Sequence, residues 1–284
     1  MKFSVFTAST PEWEPREAAK ILAAQGWDGV EWRLLDQPSA ETPGFWAGNK
    51  ASWPLATLEQ DVETIASVTR SAGLEFSGIG AYAPASNHAD VDRVLAATAA
   101  LGARQARVAM PSSTGGEPYP VVFDRTRADL EWIVDRAKEH GVKALIELHH
   151  ETITPSASAA RRLLEGLDPT HIGAIHDLGN LVIEGRENHT AAFEILGAYL
   201  AHVHVKNARW VTDGSRREDG SVIWAHEWAP LRDGQADVAR YLADLARHGY
   251  DGWVTIEDFS TELPLEERTR DNLAYLHQLV GADA

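Results

Sequence analysis

One punctuation mark recurs along the chain and constrains the fold more than any other feature: an amphipathic segment stops at a glycine, and a few residues later a β-rich run begins. It occurs at Gly26, Gly73, Gly102, Gly141 and Gly249. The first and last instances are nearly one phrase, Gly26-Trp27-Asp28-Gly29-Val30-Glu31 being echoed by Gly249-Tyr250-Asp251-Gly252-Trp253. Eight candidate strands stand out: Lys2 to Ala8, Gly29 to Arg33, Glu75 to Tyr82, Gln105 to Met110, Lys143 to His149, Ile172 to Leu178, Ala201 to Asn207 and Trp253 to Phe259. Helical segments alternate with them. In Leu58 to Ala72, for example, Leu58, Val62, Ile65, Ala66 and Val68 share a face, Thr57 and Gln60 form a capping box, and Gly73 supplies the stop.

A βα unit repeated eight times, with parallel strands and helical crossovers, predicts an α/β fold of the (β/α)8 TIM-barrel type. At 284 residues the chain has room for two average domains, but barrels of this kind routinely exceed roughly 250 residues as one unit, so residues 1–284 are expected to form a single domain. An open doubly wound sheet is the competitor. Its best cue is missing, because Phe6-Thr7-Ala8-Ser9-Thr10 follows the first strand where a glycine-rich phosphate loop would stand.

Composition narrows the partners. The 26 basic and 42 acidic side chains leave a net charge of −16, which repels a phosphate backbone and argues against nucleic acid. There is no cysteine, so disulfides and thiolate-held metals are excluded, and a reducing cytoplasm is the expected setting. The start of the chain is too short in its apolar stretch and too acidic in its flank, at Glu12 and Glu14, for a signal peptide. No apolar run approaches the roughly 20 residues of a membrane helix. A small neutral or weakly charged substrate is the expected partner, with a homo-oligomer or hetero-oligomer left open.

Chemistry is concentrated at the ends of the last four strands. Alternation puts Glu147 and His149 on one face of their strand, Asp177 beside Ile175, His202, His204 and Lys206 together, and Glu257 inward on the last strand. Three carboxylates converging on one point need a compensating cation, and a divalent metal is the simplest. Carboxylates with one imidazole suit Mn²⁺, with Mg²⁺ or Co²⁺ as alternatives. Parity alone leaves open whether Glu31 and His176 touch this site. Two long loops, Leu34 to Thr57 and Ala208 to Ala236, would rise around the barrel mouth and carry Trp46, Trp53, Trp210, Trp224 and Trp228, five of the ten tryptophans. The remaining histidines, among them His226, read mostly as scattered surface residues, and Glu262, Glu266 and Glu267 as a solvated helix start.

These residues resemble the sugar phosphate isomerase/epimerase superfamily, the xylose isomerase-like TIM barrels. The resemblance runs from the Gly26 phrase to Glu257. It is densest in Ile146-Glu147-Leu148-His149, His176-Asp177-Leu178-Gly179-Asn180, His202-Val203-His204-Val205-Lys206-Asn207 and Thr255-Ile256-Glu257. It implies that Glu147, Asp177, His204 and Glu257 are metal ligands and that Glu147 and Glu257 also move protons beside a substrate carbonyl, through an enediolate. The implied activity is isomerisation or epimerisation of a sugar, with dehydratase or lyase chemistry at the same site as the alternative. Asn180 stands where ketose 3-epimerases often carry histidine, and the basic residue expected after the metal histidine is offset to Arg209, with Lys206 nearer. His149, Asn180, Lys206 and Arg209 are therefore the expected substrate-binding residues. Multi-zinc phosphodiester cleavage, another activity in the superfamily, is disfavoured by the charge and by the small number of aligned histidines.

Overall fold

The computed structural model describes residues 1–113 and 116–281. In chain order the elements are β1 (Lys2–Phe6), α1 (Pro15–Gln25), β2 (Gly29–Leu34), β3 (Ser52–Trp53), α2 (Leu58–Ser71), β4 (Glu75–Ala81), α3 (His88–Leu101), β5 (Gln105–Arg107), α4 (Tyr119–His140) and β6 (Lys143–Glu147). They continue with α5 (Ala157–Leu164), β7 (Ile172–Asp177), α6 (Leu178–Glu184), α7 (His189–Leu196), β8 (Leu200–Val205), β9 (Asn207–Val211), β10 (Ala225–Ala229), α8 (Val238–Arg247), β11 (Trp253–Ile256) and α9 (Leu265–Gly281). Eight strands pair in parallel, in the order β1, β2, β4, β5, β6, β7, β8, β11, and β11 returns to β1, so the sheet closes into the expected barrel. The short β3 adds beside β2, and β9 and β10 form a separate antiparallel hairpin.

The glycine stops behave as their sequence positions require. Gly26, Gly102 and Gly141 cap α1, α3 and α4 at φ of 96°, 75° and 69°, a left-handed conformation that side-chain-bearing residues adopt only with strain. Each turns the chain out of a helix and back toward the barrel. On the inner face of α2, Leu58, Ile65, Ala66 and Val68 are buried against the core, which is the helical stripe predicted from the sequence. The capping box does not form. Thr57 occupies the N-cap position, but its hydroxyl donates to the Asp61 carboxylate at 2.7 Å, a closer acceptor presented one turn later.

All eight expected strands occur, and several stop earlier than their apolar runs. β5 ends at Arg107 rather than Met110, β6 at Glu147 rather than His149, and β11 at Ile256 rather than Phe259. Ladder pairing ends where the strands reach the mouth, and the polar side chains there face a cavity. Glu147 and Asp177 are the last residues of β6 and β7, Asp177 and His204 are register partners, and Glu257 follows β11 directly.

The excursion after β8 is a hairpin stem fixed at its base. Asn207 donates from Nδ2 to the carbonyls of Leu231 and Ala236 and accepts at Oδ1 from the Ala208 and Ala236 amides, all between 2.9 and 3.0 Å. One side chain thus ties both ends of the insertion.

Close packing also reaches the barrel floor. A Cβ at Gly80 would lie 2.1 Å from the Phe6 ring, and Phe6 stacks on His204 at 5.6 Å. Gly80→Ala is expected to lower unfolding stability by about 1–3 kcal/mol through overpacking. Urea denaturation should show a reduced midpoint at an unchanged slope.

Candidate metal centre and active-site cavity

Glu147, Asp177, His204 and Glu257 converge. One ligand atom from each lies within 4.8 Å of those of the others, and all four residues are buried. His204 Nδ1 sits 3.5 Å from Glu147 and 3.9 Å from both Asp177 and Glu257, yet it is a buried atom without a well-formed hydrogen bond. Its other nitrogen, Nε2, lies 3.1 Å from Glu31 Oε2, which also meets His202 Nε2 at 2.8 Å. Glu31 therefore touches the site from beneath and aims Nδ1 of His204 at the three carboxylates. His176 does not touch it: the residue faces outward against Tyr241, whose hydroxyl lies 2.8 Å from its Nδ1.

Two basic side chains enter the cluster. Arg107 Nη1 donates to Glu147 Oε2 at 2.6 Å, and the Lys206 ammonium donates to Asp177 Oδ2 at 2.7 Å and to Glu257. Lys206 passes directly over Gly179, where an added Cβ would meet its Cγ at 2.2 Å, so glycine there makes room for the lysine stem. Arg107 was not anticipated from the sequence. The alternation Gln105, Arg107 on the short β5 would have shown its inward direction, but an isolated arginine at a strand end carries no chemical pattern.

The charges do not balance without a further cation. Burial works against ionisation of Glu147, but Arg107, His204 and Lys206 outweigh it and hold the carboxyl well below its ordinary value. Asp177 is pushed up to about 7, by burial first and then by the Glu147 and Glu257 charges, against the pull of Lys206. Burial would depress His204, but Glu31, Glu147 and Glu257 raise it to about 10. Glu31 is held far below its ordinary value, since the two imidazoles overcome its burial. Asp177 and His204 both shift toward holding a proton, which is how a cluster with surplus negative charge behaves. A divalent cation would supply the same compensation while leaving Nδ1 as a lone-pair donor, so the donor set of three carboxylates and one partnerless imidazole nitrogen fits such an ion.

Above the cluster opens a cavity of about 740 Å³ with Arg107, Glu147, Lys206 and Glu257 on its floor. Of the expected substrate-binding residues, Lys206 and His149 line it. Asn180 lies behind Glu147, donating to the Leu148 carbonyl at 3.1 Å and to Glu147 at 3.4 Å, and lies 3.0 Å from His150 Nδ1. Arg209 is turned away: it pairs with Glu227 at 2.7 Å and Glu262 at 3.2 Å on the exposed side of the hairpin, because the β9 register sends it outward, and it does not line the cavity. His226, exposed as the sequence reading has it, also lines the cavity from β10 together with Trp228, and His150 lines it from the turn after β6. That placement depends on the β9–β10 pairing, which the sequence did not reveal. Burial, with His149 and Lys206 nearby, pushes His150 down to about 4, so its imidazole is neutral near pH 7.

A closed parallel barrel with carboxylates and an imidazole gathered at the carboxyl ends of its strands has the layout of a TIM barrel with a polar site at its catalytic face. The family described as xylose isomerase-like TIM barrel matches residues 19–279, and the chain belongs to it. An inosose dehydratase of Lacticaseibacillus casei is 26% identical over 139 residues, covering 48% of this chain and 46% of that protein. The chain thus spans about half the length of such relatives. In architecture it is similar to a 3-keto-D-glucoside 4-epimerase from E. coli, at 17% identity, a TM-score of 0.71 and coverage of 98% and 99% of the two chains. It is also similar to a xylose isomerase-like barrel from Mycobacterium smegmatis in complex with magnesium, at 18% identity and a TM-score of 0.71, over 99% and 97% of the chains.

Glu31→Gln removes the charged acceptor shared by His202 and His204. Hydrogen bonds to a buried charge contribute about 1.5–3 kcal/mol, and a loss of that order is expected in chemical denaturation, with the barrel's circular dichroism preserved.

Proposed function

We propose that this protein is a divalent-metal-dependent isomerase or epimerase acting on a sugar or a related polyol ketone. The observation that carries the reading is the convergence of Glu147, Asp177 and Glu257 on His204 Nδ1, a buried nitrogen left without a hydrogen bond. In this reading those four residues hold the cation, with Mn²⁺ the expected ion. When bound, the cation would polarise the substrate carbonyl and offset the negative charge that grows as the neighbouring C–H bond breaks.

The protein's own groups supply the rest. Glu147 and Glu257 both reach the cavity floor, so one carboxylate removes the proton beside the carbonyl and the other returns one, to the opposite face or to the adjacent carbon. Arg107 holds Glu147 ionised and fixes its orientation through one short hydrogen bond. Lys206 places a positive charge beside the oxygen that becomes enediolate-like, while Glu31 and Phe6 keep His204 from rotating. Closing the floor with buried side chains removes water that would otherwise compete for the transferred proton.

Elimination is the second reading. It is favoured by the sequence likeness to an inosose dehydratase and by the imidazole of His149 on the cavity wall, placed to protonate a departing group. Product mass separates the two: a stereoisomer of equal mass indicates isomerisation, and a lost group indicates elimination.

Incubation with a panel of ketoses and keto-sugars in D2O should introduce deuterium next to the carbonyl. Glu147→Gln and Glu257→Gln are each expected to slow exchange by roughly 10²–10⁴-fold, the scale of acid–base catalysis, with the barrel's circular dichroism preserved. Removal of metal with a chelator should abolish exchange, and Mn²⁺ or Co²⁺ should restore it. Exchange that survives both treatments would overturn the proposal.

A further inference from the structure

The charged floor occupies a small part of the cavity. A pocket of about 740 Å³ lies in the range that encloses drug-sized ligands, roughly 300–1000 Å³, and a single hexose seated on the four floor residues leaves most of it unfilled. Part of the remaining wall is an almost continuous arc of rings, beside polar lining from Glu12, His149, His150, Thr152, His226 and Arg268. Tyr82 meets Trp46 at 5.9 Å, Trp46 meets Phe45 at 4.3 Å, Phe45 meets Phe259 at 4.9 Å, and Phe259 meets Trp228 at 5.6 Å. The rings come from four separate segments, and the loop after β2 meets the segment after β11 through Phe45 and Phe259. The arc stands directly over the floor, with the Lys206 ammonium 5.3 Å from the Trp228 ring and 5.8 Å from Phe259.

This wall is held rather than loose. Arg33, wholly buried, donates to the Phe45 carbonyl, and its guanidinium lies between rings, 4.4 Å from Phe45 and 4.8 Å from Tyr82. Arg107 stacks on the opposite side of the arrangement, 4.1 Å from Tyr82. Cation–ring contacts of this kind stabilise more strongly when desolvated. They fix aromatic groups whose outer members stay open to water: Trp46 is 64% exposed, so its ring is offered to the cavity and not consumed by the core.

We propose that the cavity has two compartments, the floor taking a sugar ring that carries a ketone and the aromatic arc taking a flat aromatic substituent attached to that sugar, so that the substrate class is an aryl keto-glycoside rather than a free monosaccharide. This rests on the sugar-directed reading of the floor given above. Rings at right angles to one another present both faces and edges, the arrangement aromatic partners prefer. A second sugar ring fits the arc less well, because its hydroxyls would lose water against the faces of Phe45, Trp46 and Phe259.

Calorimetric titration of the metal-loaded protein with phenyl β-D-glucopyranoside, methyl β-D-glucopyranoside and cellobiose tests this. The phenyl glycoside is expected to bind at least tenfold more tightly than the other two. Trp46→Ala, at a residue too exposed to threaten folding, should cut that preference three- to tenfold while leaving the methyl glycoside unchanged, and Trp228→Ala should do the same. Equal affinity for phenyl and methyl glycosides, tighter binding of cellobiose, a variant that weakens both glycosides alike, or no binding of any of the three would overturn the two-compartment assignment. Deuterium exchange into small ketoses reports separately on the floor chemistry, so failure of one reading is distinguishable from failure of the other.

Discussion

Too much negative charge in too small a volume is the constraint on which this structure turns. Two carboxylates about 4 Å apart repel by about 4 kcal/mol at an effective dielectric near 20, and here Glu147, Asp177 and Glu257 share a space of that size, with Glu31 just below. The surrounding protein answers part of this charge: Arg107 holds Glu147, Lys206 is shared between Asp177 and Glu257, and the two imidazoles hold Glu31. What stays uncompensated appears as raised proton affinity at Asp177 and His204. A group of residues that stabilised only the fold would be better served by apolar side chains of similar volume. The strain is concentrated where the barrel's ladder ends, the position at which such folds carry their chemistry.

The barrel itself was readable because its signals are local. Helix-terminating glycines, amphipathic stripes and β-rich runs each depend on a handful of neighbours, and their alternation over eight β-rich runs leaves few topologies. The four converging residues were readable for the same reason: strand parity fixes direction, and regular spacing fixes height. Arg107 and His226 were missed because their roles depend on long-range geometry. Arg107 acquires its meaning only beside Glu147, 40 positions away in sequence, and His226 only once β10 folds back on β9. The position of Arg209 was hidden by the same limit, since the hairpin register that brings His226 in turns Arg209 out to Glu227 and Glu262. Glu31 was undecidable from parity because its partners, His202 and His204, lie across the barrel interior.

Side chains and backbone divide the labour at the mouth. The strands deliver ligating groups with the precision of a hydrogen-bonded ladder, whereas the loops deliver ring surface, which tolerates small errors of placement. Arg33 narrows that tolerance by clamping Phe45 and Tyr82 from inside the wall. The polar floor and the aromatic arc are therefore fixed by different interactions, ion pairs below and cation–ring stacking above, and Arg107 and Lys206 join the two layers by taking part in both.

The base of the β9–β10 hairpin extends that separation to evolutionary change. Because Asn207 fastens the departure and the return of the chain at one point, the segment between is a cassette whose length and sequence can vary while the eight parallel strands keep their registers. A lineage could exchange that cassette for another and acquire a new selectivity without rebuilding the reactive centre beneath it.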